Sequence, residues 1–232
     1  MKEPEATRMR SGGRYGRQAE AERNDVLVLN AARAVFAEQG AEAPVSAIAA
    51  RAGVGIATLY RRYGSKDQLL QRLCATGISQ TIDELGAALD TEGTGWETLA
   101  RYMEAAVEAQ AGAFAALAGT FDLPDDVAAA NEHAKGLAER LLRRGHDDAT
   151  VRADVTTLDI THVIELFSRY PRRTDEDVHA RRRMLALALD GLRFAHAPLP
   201  GPEPRWADYH RTWEGETGAS SATAHERPER AD

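Results

Sequence analysis

The stretch PVSAIAARAGVGIATLYRRYGSKDQLL, from Pro44 to Leu70, constrains the fold more than any other part of this chain. It spells two short helices joined by a glycine-flanked turn, then the capped start of a longer helix. Pro44 suits the entry to a helix over about Val45–Ala52, where a missing N–H costs nothing. Ile48 and Ala49 are placed on its inner side. Gly53-Val54-Gly55 makes the turn, and the second helix, about Ile56–Tyr63, is anchored inward by Leu59 and Tyr63. Ser65 then caps a helix opening Lys66-Asp67-Gln68, with an acid in its first turn as the helix dipole prefers. Two short helices around a tight turn form the unit that seats its second helix in a DNA major groove.

Period-two alternation is absent from the 232 residues, and Ala, Leu, Glu and Arg dominate, so the expected fold class is all-α. A first helix over about Asn24–Gln39 carries Val28, Leu29, Ala32, Val35 and Phe36 on one stripe and stops at Gly40. The helix that begins at Lys66 is expected to reach about Leu89. Further helices are expected near Trp96–Thr120, Pro124–Arg144, Thr156–Tyr170 and Thr174–His196. Residues 1–22, rich in Gly, Arg and Glu without periodicity, read as a disordered basic arm. Residues 23–68 form the helix-turn-helix domain, 69–198 a helical body, and 199–232 a flexible tail, part of which Trp206, Tyr209 and Trp213 could dock.

The net charge of −7 conceals an asymmetry. Through Lys66 there are 11 Lys and Arg against 7 Asp and Glu, leaving the first part at +4 and the remainder at −11. Such a polarity is expected if only one end of the protein meets phosphate. No apolar run approaches the roughly 20 residues that cross a bilayer, and the first residues lack the apolar core of a secretory signal. A single cysteine, Cys74, excludes an intramolecular disulfide and fits a cytoplasmic setting; a buried small hydrophobe is its simplest role.

Residues 24–70 resemble the DNA-binding domain of the tetracycline-repressor (TetR) family of bacterial transcription regulators. The matching pieces are AARAVFAEQG (31–40), IAARAGV (48–54), TLYRRY (58–63) and SKDQLL (65–70). The resemblance implies an all-helical homodimer with a helix-turn-helix head on an effector-binding and dimerisation body. It places Ser46, Gly55, Ile56, Ala57, Thr58, Tyr60, Arg61, Arg62 and Lys66 at DNA-contacting positions. Tyr60 can bond a phosphate, and Lys66 can grip one together with the N–H groups of its helix start. Arg61 and Arg62 suit phosphate or the O6/N7 edge of guanine. The short Ser46 hydroxyl stands where a longer polar side chain often reads a base. Gly55 replaces the usual Ser or Thr cap, and Ile56 and Ala57 are apolar where polar readers are expected.

Beyond the head, a broad apolar arc in RRRMLALALDGLRFAH (181–196) exceeds what a surface helix needs and asks for a second partner. Leu185, Leu189 and Leu192, with Ile160, Val163 and Phe167 of the preceding helix, are the expected dimer seam. By resemblance, the body encloses a cavity for a small-molecule effector not identified by sequence. Candidate lining residues are Leu73, Trp96, Met103, Phe114, Phe121, His133, His162 and Glu165. The His162/Glu165 pair supplies two metal-type ligands without a third, so no metal or cofactor is implied. Glycine-rich phosphate loops and the G-x-S-x-G and H-E-x-x-H motifs are absent, against an enzyme. The expected function is a dimeric, ligand-responsive transcriptional repressor that binds a near-palindromic operator in double-stranded DNA and is released by a small molecule. The alternative is a helical partner-binding protein whose head has reduced DNA affinity.

Overall fold

In the computed structural model the described residues are 12–40, 42–117, 121–193 and 197–213, and among them there are helices and no strand. The order is α1 (Gly12–Gln39), α2 (Val45–Ala52), α3 (Ile56–Tyr63), α4 (Lys66–Asp90), α5 (Gly95–Glu108), a 3-10 segment (Ala111–Leu117), α6 (Asp125–Asp147), α7 (Thr157–Ser168), α8 (Asp175–Gly191) and α9 (Trp206–Trp213). Helix α1 begins at Gly12, so residues 12–22 are helical, where an irregular arm was expected. The tail carries helix α9, where the sequence reading expected a flexible segment. Residues 1–11 and 214–232, and the side chain of Trp213, lie outside the described residues.

The chain builds two apolar cores. The first joins α1–α3 and the start of α4 through Val28, Leu29, Phe36, Ile48, Leu59 and Leu70, and it is completed by Phe114 and Leu117 from the 3-10 segment. The head is therefore plugged by residues of the body. The second core, built from α4–α8, gathers Leu85, Met103, Leu141, Ile160, Phe167 and Leu189. Burying each such side chain contributes roughly 1.5–3 kcal/mol.

Helix ends are closed locally. Thr94, Thr156 and Thr174 each start a helix with a capping box, reciprocated by Glu97, Asp159 and Asp177 respectively. Ser65 Oγ accepts from the Gln68 N–H at 3.1 Å, as expected for the start of α4. At its other end, Arg144 donates to the carbonyls of Thr91 (3.1 Å) and Gly93 (2.6 Å). The C-terminal carbonyls of α5 receive two guanidinium groups: Arg172 donates to Val107 and Glu108, and Arg181 to Val107. Arg181 is itself buried and donates to Glu108 Oε2 at 2.6 Å.

Helix α5 stops at Glu108, where the sequence predicted continuation to about Thr120. Gln110 takes a positive φ of 53°, and the chain re-enters as the 3-10 segment. The break lets Gly112 lie against α7: a Cβ there would sit 2.5 Å from the Glu165 Cα. Two other glycines have open space instead. Gly86 in α4 and Gly136 in α6 would meet nothing within 4 Å on gaining a methyl group. Gly86→Ala and Gly136→Ala should each raise stability by about 0.5–1 kcal/mol, because alanine costs less backbone entropy in a helix. Chemical denaturation checks this; a lowered midpoint in either would contradict the packing.

Candidate nucleic-acid interface and effector cavity

The turn between α2 and α3 depends on Gly53, whose φ of 69° and ψ of 26° place it in the left-handed region. Its N–H returns to α2, and Val54 packs partly into the head core. Helix α3 then has one inward residue, Leu59, at 2% exposure, with Tyr63 half-buried. Ser46, Gly55, Ile56, Ala57, Thr58, Tyr60, Arg61, Arg62 and Lys66 are all exposed. The nine positions expected at DNA are thus all solvent-facing. Gly55 provides no side-chain cap, so the backbone at the α3 N-terminus is left open to approach. Arg62 leans over the Tyr63 ring at 5.9 Å. Arg51 bonds Glu38 at 2.8 Å, tying α2 to α1 at an exposed site where such a pair adds little stability.

Within the body lies a cavity of ≈ 870 Å³, lined from α4, α5, the 3-10 segment, α6, α7 and α9. Phe114, Phe121 and Glu165 of the expected lining residues are present in it. The other five are elsewhere. Leu73 belongs to the head core, and Met103 is fully buried in the body core. Trp96 donates its Nε1 hydrogen to the Leu189 carbonyl at 3.2 Å under the Arg193 guanidinium. His133 and His162 are exposed. His162 and Glu165 do not pair with each other: Tyr209 stacks obliquely near His162 and donates its hydroxyl to Glu165 Oε1 at 2.5 Å. No cluster of three or more metal-type ligands occurs among the described residues.

Sequence reasoning missed Tyr102, Trp206 and Tyr209 as lining residues. Tyr102 follows α5 inward, where burial and the nearby Glu84 carboxylate push its phenol pKa upward. Trp206 and Tyr209 had a legible signal, two aromatics at helical i, i+3 spacing within an otherwise proline-rich tail. The segment leading to them is tied down by Asp154, which accepts from Arg152 (2.6 and 2.8 Å) and from the Leu199 N–H (3.0 Å). The Arg152 guanidinium, followed by that N–H, holds the Asp154 carboxyl well below its usual range.

Cavity and head meet at Phe114. Its ring lines the cavity, packs edge-on against Phe36 of α1 at 6.4 Å, and lies under the buried Arg33 guanidinium at 5.7 Å. Arg33 in turn donates to Gln80 of α4 at 2.7 Å. Burial lowers the Arg33 pKa, with the Glu84 carboxylate acting in opposition. Cys74 also lines this region, and burial pushes its thiol up to about 12. The thiolate is the nucleophile, so Cys74 should resist a thiol-directed disulfide reagent at pH 8 and react only on denaturation. Rapid labelling of the folded protein would contradict its placement.

Four of the six residues expected to form a dimer seam are buried within the chain. Ile160, Phe167, Leu185 and Leu189 are buried in the body core, and Val163 and Leu192 are partly buried against it. What α7 and α8 leave exposed is instead Leu166 (65%), Met184 (48%) and Leu187 (67%). On α8 the exposed apolar residues lie away from the expected ones: Leu187 is on the side of the helix opposite Leu185 and Leu189, and Met184 is on its flank.

A helix-turn-helix head with an exposed cationic second helix, set on a helical body around a cavity, defines a DNA-binding transcription regulator. The chain belongs to the tetR family of bacterial regulatory proteins: the model of that family's N-terminal domain matches residues 28–73, and that of the SbtR-like transcriptional regulator C-terminal domain matches residues 93–194. It is similar to the TetR transcription regulatory protein of Mycobacterium vanbaalenii, at 29% identity and a TM-score of 0.51, with 76% of this chain and 99% of that one covered. It is also similar in fold to the TetR regulator SCO0520 of Streptomyces coelicolor, at 24% identity and a TM-score of 0.50, covering 74% and 99%. No curated protein matches the chain significantly. No helix among the described residues is long and apolar enough to cross a membrane.

Proposed function

We propose that the protein is a homodimeric repressor that binds a near-palindromic operator and is released by a small molecule entering the body cavity. The observation that carries this reading is the segregation on α3: Leu59 is the single buried anchor, while Thr58, Tyr60, Arg61 and Arg62, with Lys66 beside them, face outward together. Hydroxyl, phenol and guanidinium groups in that setting suit phosphate oxygens and base edges. Leu166, Met184 and Leu187 are the surface offered to a second copy, and a two-fold pair of heads would meet two half-sites.

Coupling would run through Phe114 and α4. A ligand displacing the Phe114 ring moves the contacts to Phe36 and Arg33 in α1, while α4 carries both cavity-lining residues and, at its start, Lys66. A coupling of about 1–3 kcal/mol changes operator affinity about 5- to 150-fold. Selection of bound fragments from genomic DNA, followed by gel shift of the enriched sequence across a salt series, tests the reading. Specific retardation that weakens steeply with salt is expected. Failure to enrich any sequence, or salt-insensitive retention, would contradict it.

A further inference from the structure

We propose that the cavity is built for a lipophilic organic cation, held with its positive centre against Glu165 and its apolar groups against the aromatic wall. The inference rests on the reading of this cavity as the effector site. Four carboxylates line it, Asp67, Asp122, Glu132 and Glu165, against one ammonium, Lys135. That ammonium is already engaged: Lys135 Nζ lies 3.5 Å from Glu132 and 4.9 Å from the centre of the Trp206 ring. Asp67, Asp122 and Glu132 are exposed at the rim, whereas Glu165 is buried at 8% exposure.

The position of Glu165 strengthens the preference. It occupies the last turn of α7, where aligned backbone carbonyls add negative potential. Arg169 stands nearby, but its Nε donates to the Glu165 backbone carbonyl and not to the carboxylate. Arg33 packs against the Phe114 ring at 5.7 Å and is bonded to Gln80. In the carboxylate's own surroundings the group identified is a neutral phenol, Tyr209, donating to Oε1. Trp206 and Tyr209 meet edge-to-face at 5.4 Å and form one wall, with Phe114 and Phe121 also lining the space. Aromatic faces attract a desolvated cation, and the Lys135 ammonium over Trp206 shows that this wall accepts one. An anion would meet a net negative chamber and an unneutralised buried carboxylate. A neutral ligand would leave that carboxylate unused. The wall supplied by α9 lies outside the family-matched residues 93–194.

Tetraphenylphosphonium and tetraphenylborate, matched in shape and opposite in charge, separate these cases when titrated calorimetrically into the full-length protein. Phosphonium should bind at one site per chain, at least about tenfold more tightly than borate. Glu165→Gln, nearly isosteric, should remove at least about tenfold of the phosphonium affinity without weakening borate. Equal affinities, a preference for borate, no binding of either ion, or unchanged phosphonium affinity in Glu165→Gln would overturn the proposal. The charge preference of the unaltered protein is decisive even if the variant folds poorly. Gel shift of the same preparation keeps the two readings apart. Intact DNA retardation without cation preference defeats only the cation site, and cation preference without DNA retardation defeats only the regulator.

Discussion

The double variant Tyr60→Phe, Lys66→Ala should bind every DNA sequence about 100-fold more weakly than the unaltered protein, with no change in melting temperature. Both side chains are exposed, Tyr60 at 42%, so neither supports the core. Lys66 begins α4 directly after the Ser65 cap, a position from which ammonium and helix N–H groups would reach one phosphate together. An exposed hydrogen bond nets about 0.5–1.5 kcal/mol and each 1.4 kcal/mol is tenfold in affinity, so four lost contacts in the lower half of that range amount to about 100-fold. A two-fold dimer loses each contact twice. The slope of log affinity against log salt should shrink by about 2, from one lysine in each of two heads. Arg61→Ala or Arg62→Ala should act differently, relaxing sequence choice where the guanidinium forks onto guanine. Unaltered affinity in the double variant, measured by fluorescence anisotropy, would remove Tyr60 and Lys66 from the interface.

Gly95→Ala should destabilise the protein by about 3 kcal/mol, the upper end expected for overpacking. Helices α5 and α6 touch backbone to backbone at this point: a Cβ on Gly95 would lie 2.2 Å from the Gly145 Cα and nitrogen. No rotamer change relieves a clash with main chain. The same contact lets the loop after α6 cap α5, because Asp148 Oδ2 accepts from the Gly95 N–H at 2.6 Å and Thr150 Oγ1 from the Trp96 N–H at 2.9 Å. Separating the helices would strand those donors as well. For a chain of this size the melting temperature should fall by about 6–12 °C. An unchanged melting curve would mean that the two helices do not approach so closely.

The head was legible in the sequence because its signals are local. Pro44, the left-handed Gly53 and the Ser65 cap each act within one turn of the residue that carries them, and α2, α3 and the start of α4 fall at their expected limits. The body was less legible where a distant partner decides. Ala-rich residues 109–117 have high helix propensity, yet the chain breaks at Gln110 so that Gly112 can meet α7 and bond Ser168. Gly145 looks like a helix stop, but α6 runs through it to Asp147 because its lack of a side chain serves the crossing with Gly95. Apolar periodicity marked α7 and α8 as doubly partnered without indicating which stripe faces the monomer core. Leu185 and Leu189 are buried there, while Leu187 is left out. The cavity drew on a tail segment whose docking depends on Asp154, Thr157 and Glu165, residues more than forty positions away from their partners.

The most direct test of the central claim, that paired copies of α3 read adjacent turns of a duplex, is a nuclease footprint on a fragment enriched from genomic DNA. The account predicts two symmetric protected half-sites, with centres about 10 base pairs or a whole multiple of that apart, on one face of the helix. Protection of a single unpaired site, or a pattern unaffected by Tyr60→Phe with Lys66→Ala, would contradict it.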